Sequence, residues 1–182
     1  MHYKYLYHAS PNKDIEILEP RAESVRDPNE GPVVFASHDK ASVTCFLVPT
    51  DSSWSKISQY RSRSNNHPTL YVMCISDEKR FRDLDKGGAI YYLSPKSFYL
   101  DESKGNTEWT SKVNVKPLKK EIYDSGLDAM IYNGVIVYFC HKETLLELQK
   151  DPKDFKRAMD IFKSMISENE ERGLENPIHK YY

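Results

Sequence analysis

Through residue 140 the apolar residues of this chain come in short clusters rather than at helical spacing, and turn-forming residues close off each cluster. "YKYLYH" (3 to 8), "PVVFAS" (32 to 37), "TLYVMCI" (69 to 75), "AIYYL" (89 to 93), "VNVKPL" (113 to 118) and "DAMIYNGVIVYFC" (128 to 140) are rich in Val, Ile, Tyr and Phe. Asn, Asp, Gly, Pro and Ser bound them, which is the pattern of β-strands. Asn133-Gly134 predicts a tight hairpin inside the last run, since both residues tolerate positive φ. "SHDKASVTCFL" predicts a strand that leaves through a turn capped by Asp39 into a short helix, with Ala41, Cys45 and Phe46 on one face. Residues 50 to 68 are polar, serine-rich and aperiodic, and read as a long loop.

From residue 142 the period becomes helical. In "DPKDFKRAMDIFKSMISENEERG", Asp151 reads as an N-cap, Pro152 as the first helical residue and Gly173 as the stop. Phe155, Ala158, Met159, Phe162, Met165 and Ile166 recur at three- and four-residue spacing, a face built to lie on a core. The fold class is therefore α+β: a mostly β domain over residues 1 to 141, followed by a helical extension over 142 to 182 that packs on it.

Composition narrows the function classes. Lys and Arg number 26 against 27 Asp and Glu, so no global field draws the chain to nucleic acid or to an anionic membrane. The apolar runs fall short of the roughly 18 residues that span a bilayer, and "MHYKYLYH" lacks the apolar stretch of a signal peptide, so a cytoplasmic protein with no membrane partner is expected. Cys45, Cys74 and Cys140 sit inside apolar segments without C-x-x-C spacing and read as buried free thiols. His8, His38, His67, His141 and His179 show no metal-ligand spacing, and no metal is expected. No dinucleotide fingerprint, P-loop or nucleophile elbow is present. Arg61 and Arg63, with Tyr60 and Trp54, offer a phosphate-and-stacking set in the 50 to 68 loop, although a solvated polar loop is the simpler reading. Gly87-Gly88 reads as a turn into a core strand, with Tyr91 or Tyr92 placed to line a cleft.

Chemistry gathers at separated places. His8 ends the aromatic strand in "YLYHAS", followed by the small residues Ala9 and Ser10. Phe35 and Ala36 close the second strand, with Ser42 six residues beyond Ala36 and Phe46 further along the helix. Glu108 precedes Trp109 at the start of a late strand. Taken singly, each has a plain structural alternative: a histidine satisfied by a carbonyl, serines acting as caps, a solvated edge carboxylate.

Taken in order, H-(small)-S, then F-A with a serine six residues on, then E-(aromatic), the set resembles the ADP-ribosyltransferase superfamily. The likeness is to the histidine branch typified by diphtheria toxin and the poly(ADP-ribose) polymerases, and to small bacterial and phage proteins whose first strand carries "YH(G/A)S". It covers residues 5 to 118 in short islands. The resemblance implies a split β-sandwich holding NAD as substrate, with an acceptor, protein or nucleic acid, that the sequence does not name. Glu108 would be catalytic, stabilising an oxocarbenium-like transition state as the nicotinamide–ribose bond breaks. His8 would hold the adenosine ribose, with Ala9, Ser10, Phe35, Ala36, Ser42 and Phe46 around the cofactor. Val34 and Cys45 stand where the branch carries tyrosines, and Asn106 stands two residues before Glu108, unlike the arginine-modifying toxins. Those departures motivate an alternative: a non-catalytic nucleotide- or protein-binding module on the same fold. An enzyme resembling RNA 2'-phosphotransferase is a further possibility.

Overall fold

The computed structural model describes residues 3–22, 31–60, 69–100, 107–151 and 155–171, with side chains of the last helix described over 156–165. In chain order the elements are β1 (Leu6–Ser10), β2 (Val34–Ser37), α1 (Lys40–Thr44), β3 (Ser55–Tyr60), β4 (Leu70–Ile75), α2 (Glu78–Leu84) and β5 (Gly88–Leu93). After a 3-10 turn at Pro95–Ser97 come β6 (Tyr99–Leu100), β7 (Glu108–Ser111), β8 (Lys119–Tyr123), α3 (Gly126–Tyr132), β9 (Val135–Phe139), α4 (Lys142–Lys150) and α5 (Phe155–Glu171). The class is α+β, as expected. None of the described helices is long and apolar enough to cross a membrane.

Two sheets form. One is six-stranded in the order β6-β7-β2-β1-β5-β8, and the other three-stranded in the order β3-β4-β9. Strand alternation sorts their side chains into layers. On the small sheet, Val72, Cys74, Ile136 and Tyr138 face α4 and α5, where Ala158, Phe162 and Met165 close the core. The rings of Tyr138 and Phe162 stack there at 5.5 Å. The other face of the small sheet meets Cys45, Phe81 and Met130. Val43, Leu47 and Ala129 then cover Ala9 and Ile90 of the large sheet, so α1 and α3 form a layer between the sheets. The far face of the large sheet carries Leu6, Val34, Ala36, Tyr91 and Leu93, and is roofed by Leu18 and Val115.

Several expectations need correcting. Asn133-Gly134 turns no hairpin: α3 precedes it, capped by the Ser125 hydroxyl accepting from Asp128 N–H at 3.0 Å. Asn133 caps the helix C-terminus, and Gly134 uses its positive φ of 87° to leave the helix. The run after it, β9, pairs parallel to β4 instead. Segment 113–118 is not a strand either: Val115 forms an isolated bridge to Leu18, and Leu118 N–H donates to the Tyr92 carbonyl at 2.8 Å. Pro117 removes a ladder donor there. The real strands flank it: β7, opened by Glu108 as expected, and the charged edge strand β8. The 50 to 68 loop contains β3, whose serines and lysine suit an edge, and residues 61–68, including Arg61 and Arg63, lie outside the described residues. Trp54 is 4% exposed and Tyr60 packs on Phe162, so neither ring is offered for base stacking. Phe46 is 60% exposed while Cys45 is buried, so the two do not share a face of the α1 turn. Asp151 ends α4 rather than capping α5, and Pro152 and Gly173 lie outside the described residues. The cysteines are free and buried, as expected, and burial pushes the Cys45 thiol up to about 12.

Asp85 joins this layout. Its carboxylate accepts from Gly126 N–H (2.6 Å), Leu127 N–H (3.0 Å), Gly87 N–H (2.9 Å) and the Ser125 hydroxyl (3.1 Å). It thereby serves the orphan donors at the N-terminus of α3 and orders the turn into β5. Gly126 leaves the room required, since a Cβ there would approach the Val48 side chain to 2.6 Å. Partial burial tends to raise the Asp85 pKa, but the bonds from Gly126, Leu127, Gly87 and Ser125 outweigh it and hold the carboxyl below its ordinary value. Asp85→Ala is expected to cost on the order of 2 kcal/mol in urea unfolding. Because the folded pKa is depressed, the stability Asp85 contributes is complete above its unfolded pKa of about 3.9 and is lost as pH falls through the folded value. Acid denaturation should accordingly be shallower in Asp85→Ala than in the parent, and equal acid slopes would contradict this role.

Candidate functional site

The large sheet is split. β1 and β2 run antiparallel but pair only at Tyr7↔Ser37, whereas β1 pairs with β5 along its whole length from Leu6↔Leu93 to Ser10↔Ala89. Past Tyr7 the two strands part, and the imidazole of His8 stands in the gap: its Nδ1 lies 2.8 Å from the carbonyl oxygen of Phe35. A carbonyl only accepts, so Nδ1 carries the proton and donates. The neutral ring then presents Nε2 as a lone-pair acceptor, with no partner among the described residues. Burial is the main influence lowering the His8 pKa; the bond to Phe35 raises it in part, and the positive charge of Arg21 lowers it further. His8 is therefore neutral at neutral pH.

His8 lines a cavity of about 260 Å³ together with Ser10, Phe35, Ile15, Glu19 and Arg21. Arg21 is positioned by its backbone, which exchanges hydrogen bonds with Val33 at 3.1 and 3.3 Å. Its guanidinium has no ion pair among the described residues. A neutral acceptor beside a guanidinium suits a ligand that carries both a hydroxyl and an anionic group. The larger hollow, about 630 Å³ beside Phe46 and Ile57, is more open, and its charged groups are already engaged, Lys56 with the Leu148 carbonyl at 2.6 Å and Asp51 with Trp54 and Arg80.

The expected site residues do not all meet here. His8, Ser10 and Phe35 line the cleft. Ala9 faces the other way, against Val43 and Leu47, so its small size is set by the approach of α1. Ala36 is core, packed with Leu6 and Phe98. The Ser42 hydroxyl donates to the Asp39 carbonyl within α1, and Phe46 borders the larger hollow. Glu108 is the main departure. It pairs with Ser37, which pairs with Tyr7, and residues directly opposite share a face. Glu108 thus lies on the α1 face, in a row with Ser37, Tyr7, Tyr92 and Lys119, while His8 and its cross-strand partner Tyr91 point to the opposite face. The convergence of His8 and Glu108 on one hollow, expected from their order in the chain, is absent, because alternation places the two side chains on opposite sides of one sheet. Position 45, where a stacking ring was sought, is fully buried between the sheets, and Val34 is a buried core residue that lines the inner side of the cleft. Asn106 lies outside the described residues.

On the Glu108 face, Lys40, Tyr92 and Tyr123 all bond to Glu121, Tyr123 at 3.1 Å, and Lys119 stands 4.0 Å over the Tyr92 ring. This network fastens α1 to β5 and β8. Partial burial opposes the charge of Lys40, yet its bonds to Glu121 and Tyr92 dominate and raise its pKa, so it remains an ammonium and not a nucleophile. Sequence reading missed Arg21, Glu19 and Ile15; the alternation in "DIEILEPR" is the signal that could have marked the segment as a strip with one buried side. Among the described residues no His, Cys, Asp and Glu group is arranged to hold a metal.

The His8 geometry is directly checkable. Long-range nitrogen-proton NMR of the imidazole should show the Nδ1–H tautomer, with a midpoint below the ordinary value of about 6.5. A lowered histidine pKa means the unfolded chain takes up the proton first, so this group's contribution favours folding above about pH 6.5 and diminishes as pH falls from there towards the folded value. An Nε2–H tautomer would contradict the assigned strut.

No family model, curated protein or solved structure matches the chain, so the site rests on its own geometry.

Proposed function

We propose that this chain binds a nucleotide of the NAD or ADP-ribose class in the cleft where β1 and β2 part, on an ADP-ribosyltransferase-like split sheet. The observation that carries the reading is the tautomer-locked imidazole of His8, an acceptor suited to a ribose hydroxyl, in one cavity with the guanidinium of Arg21, which has no ion pair among the described residues and is suited to a phosphate. A space of about 260 Å³ is smaller than a typical drug-sized site, so it takes one nucleoside-phosphate portion and the remainder of a dinucleotide runs out over the rim. Binding without turnover is favoured, because Glu108 is on the other face.

ADP-ribosyl transfer, or NAD hydrolysis, is the second reading. Its support is the location of Glu108 beside Ser37, at the turn leading into α1, where a ligand reaching round the split would meet a carboxylate. In that case the ribose–nicotinamide bond breaks with its electron pair leaving on nicotinamide, the carboxylate stabilises the ribosyl cation, and water or an acceptor nucleophile adds to it.

Calorimetry with ADP-ribose and with NAD, paired with an assay for free nicotinamide, separates these readings. The expected result is binding that weakens about tenfold, or ~1.4 kcal/mol, in His8→Ala and in Arg21→Ala. Glu108→Gln should bind as the parent does, with no nicotinamide released by either. Release by the parent that is lost in Glu108→Gln would establish the second reading. Failure of the parent to bind either nucleotide would sink both.

A further inference from the structure

One wall of the His8 cleft belongs to no regular element. Residues 11–22 cross the outer face of the large sheet and supply Ile15, Ile17, Leu18, Glu19 and Arg21 to the cavity. The far part of this segment is tied by backbone pairs, Leu18 with Val115 at 2.9 and 2.8 Å and Arg21 with Val33. The near part has no such backbone pairing among the described residues. There the Tyr91 hydroxyl accepts from Ile15 N–H at 3.0 Å and donates to the Asn12 carbonyl at 2.7 Å, using both capacities of a phenol. Tyr91 is fully buried and is the direct cross-strand partner of His8, with ring centroids 6.5 Å apart. Other ties on this stretch are the bond from Asn12 N–H to the Ser10 hydroxyl at 3.1 Å, the turn bond from Asp14 N–H to the Asn12 side-chain oxygen at 2.9 Å, a bond from Lys120 to the Lys13 carbonyl, and ion pairs at the surface, Lys120 with Asp14 at 3.5 Å and Lys13 with Asp124 at 3.7 Å. Exposed pairs of that kind hold a chain weakly.

We propose that Tyr91 is a positioning residue of the cleft: its hydroxyl clamps the Asn12–Ile15 turn to the sheet and so sets how far the Ile15–Arg21 wall stands from the His8 imidazole. The consequence for a ligand rests on the binding reading above, whereas the clamp itself rests on the two hydrogen bonds. It also explains why a tyrosine occupies a fully buried β5 position whose neighbours on the same face are Ala89 and Leu93. Phenylalanine would fill the same volume but would leave the turn without its donor and acceptor.

Tyr91→Phe removes one oxygen and keeps the ring. Three readouts are taken together: amide exchange at Ile15, diethyl pyrocarbonate modification of His8 relative to exposed His141, and ADP-ribose affinity. Nε2 is the reactive nitrogen of His8 because Nδ1 is committed to Phe35, so its modification rate reports access through the cleft. The expected result is Ile15 exchange about tenfold faster with Val72 and Met73 unchanged, a severalfold change in the His8 to His141 ratio, and ADP-ribose binding severalfold weaker. An unchanged ratio overturns the proposal, even if Ile15 exchange accelerates, because the hydroxyl is then only a local fastener. A changed ratio in a protein whose parent form binds no ADP-ribose leaves the clamp standing and removes the nucleotide reading. Should Tyr91→Phe not fold, Ile15→Pro removes the donor from the loop side and is read by the same ratio.

Discussion

The carboxylate of Asp85 is the joint on which the layered arrangement turns. A helix wedged between two sheets must present its first N–H groups to something other than water, and α3 presents Gly126 and Leu127 to Asp85. The same side chain bonds Gly87 at the entry to β5, so the last turn of α2, the first residues of β5 and the start of α3 are held in one place. With α3 so held, Ala129 packs on the large sheet and Met130 on the small one. Consecutive residues of one short helix, about 100° apart around its axis, therefore join the two sheets.

A second constraint follows from the parting of β1 and β2. Strands that separate leave backbone groups without ladder partners, and such groups need another partner or water. His8 meets part of that need by donating to the Phe35 carbonyl, and in doing so the ring is fixed in one tautomer with its remaining nitrogen towards a cavity. A structural repair and a recognition element are thus the same side chain. The plain reading of a strand-end histidine, one satisfied by a backbone carbonyl, is correct for Nδ1 and incomplete for Nε2.

Strands rich in branched and aromatic residues were legible because both their faces are buried: β4 and β5 hold little else. The Asp39 cap and the Ala158–Phe162–Met165 stripe were legible because caps and helical periodicity are local. Edge strands were not, since "SKISQY" and "KKEIY" carry the polar side chains that protect an edge and so look like loops. Asn133-Gly134 misled for a related reason: a positive-φ pair ends a helix as readily as it turns a hairpin, and the choice lay with Ser125 and with Asp85, 40 residues upstream of Ser125.

For the site, the chain's own order determined which residue types were available: an imidazole at a strand end, an acid opening a late strand, small residues beside both. Which of them share a space was decided by register, because side chains alternate across a sheet and a single step along a strand reverses the face. His8 and Glu108 differ by that step and lie on opposite sides, while Arg21, unremarkable in sequence, comes to the imidazole through a loop folded back over the sheet, and Tyr91, across from His8 on β5, bonds to that loop. Local chemistry is written residue by residue; adjacency across strands is set by long-range pairing, and no short stretch of sequence contains it.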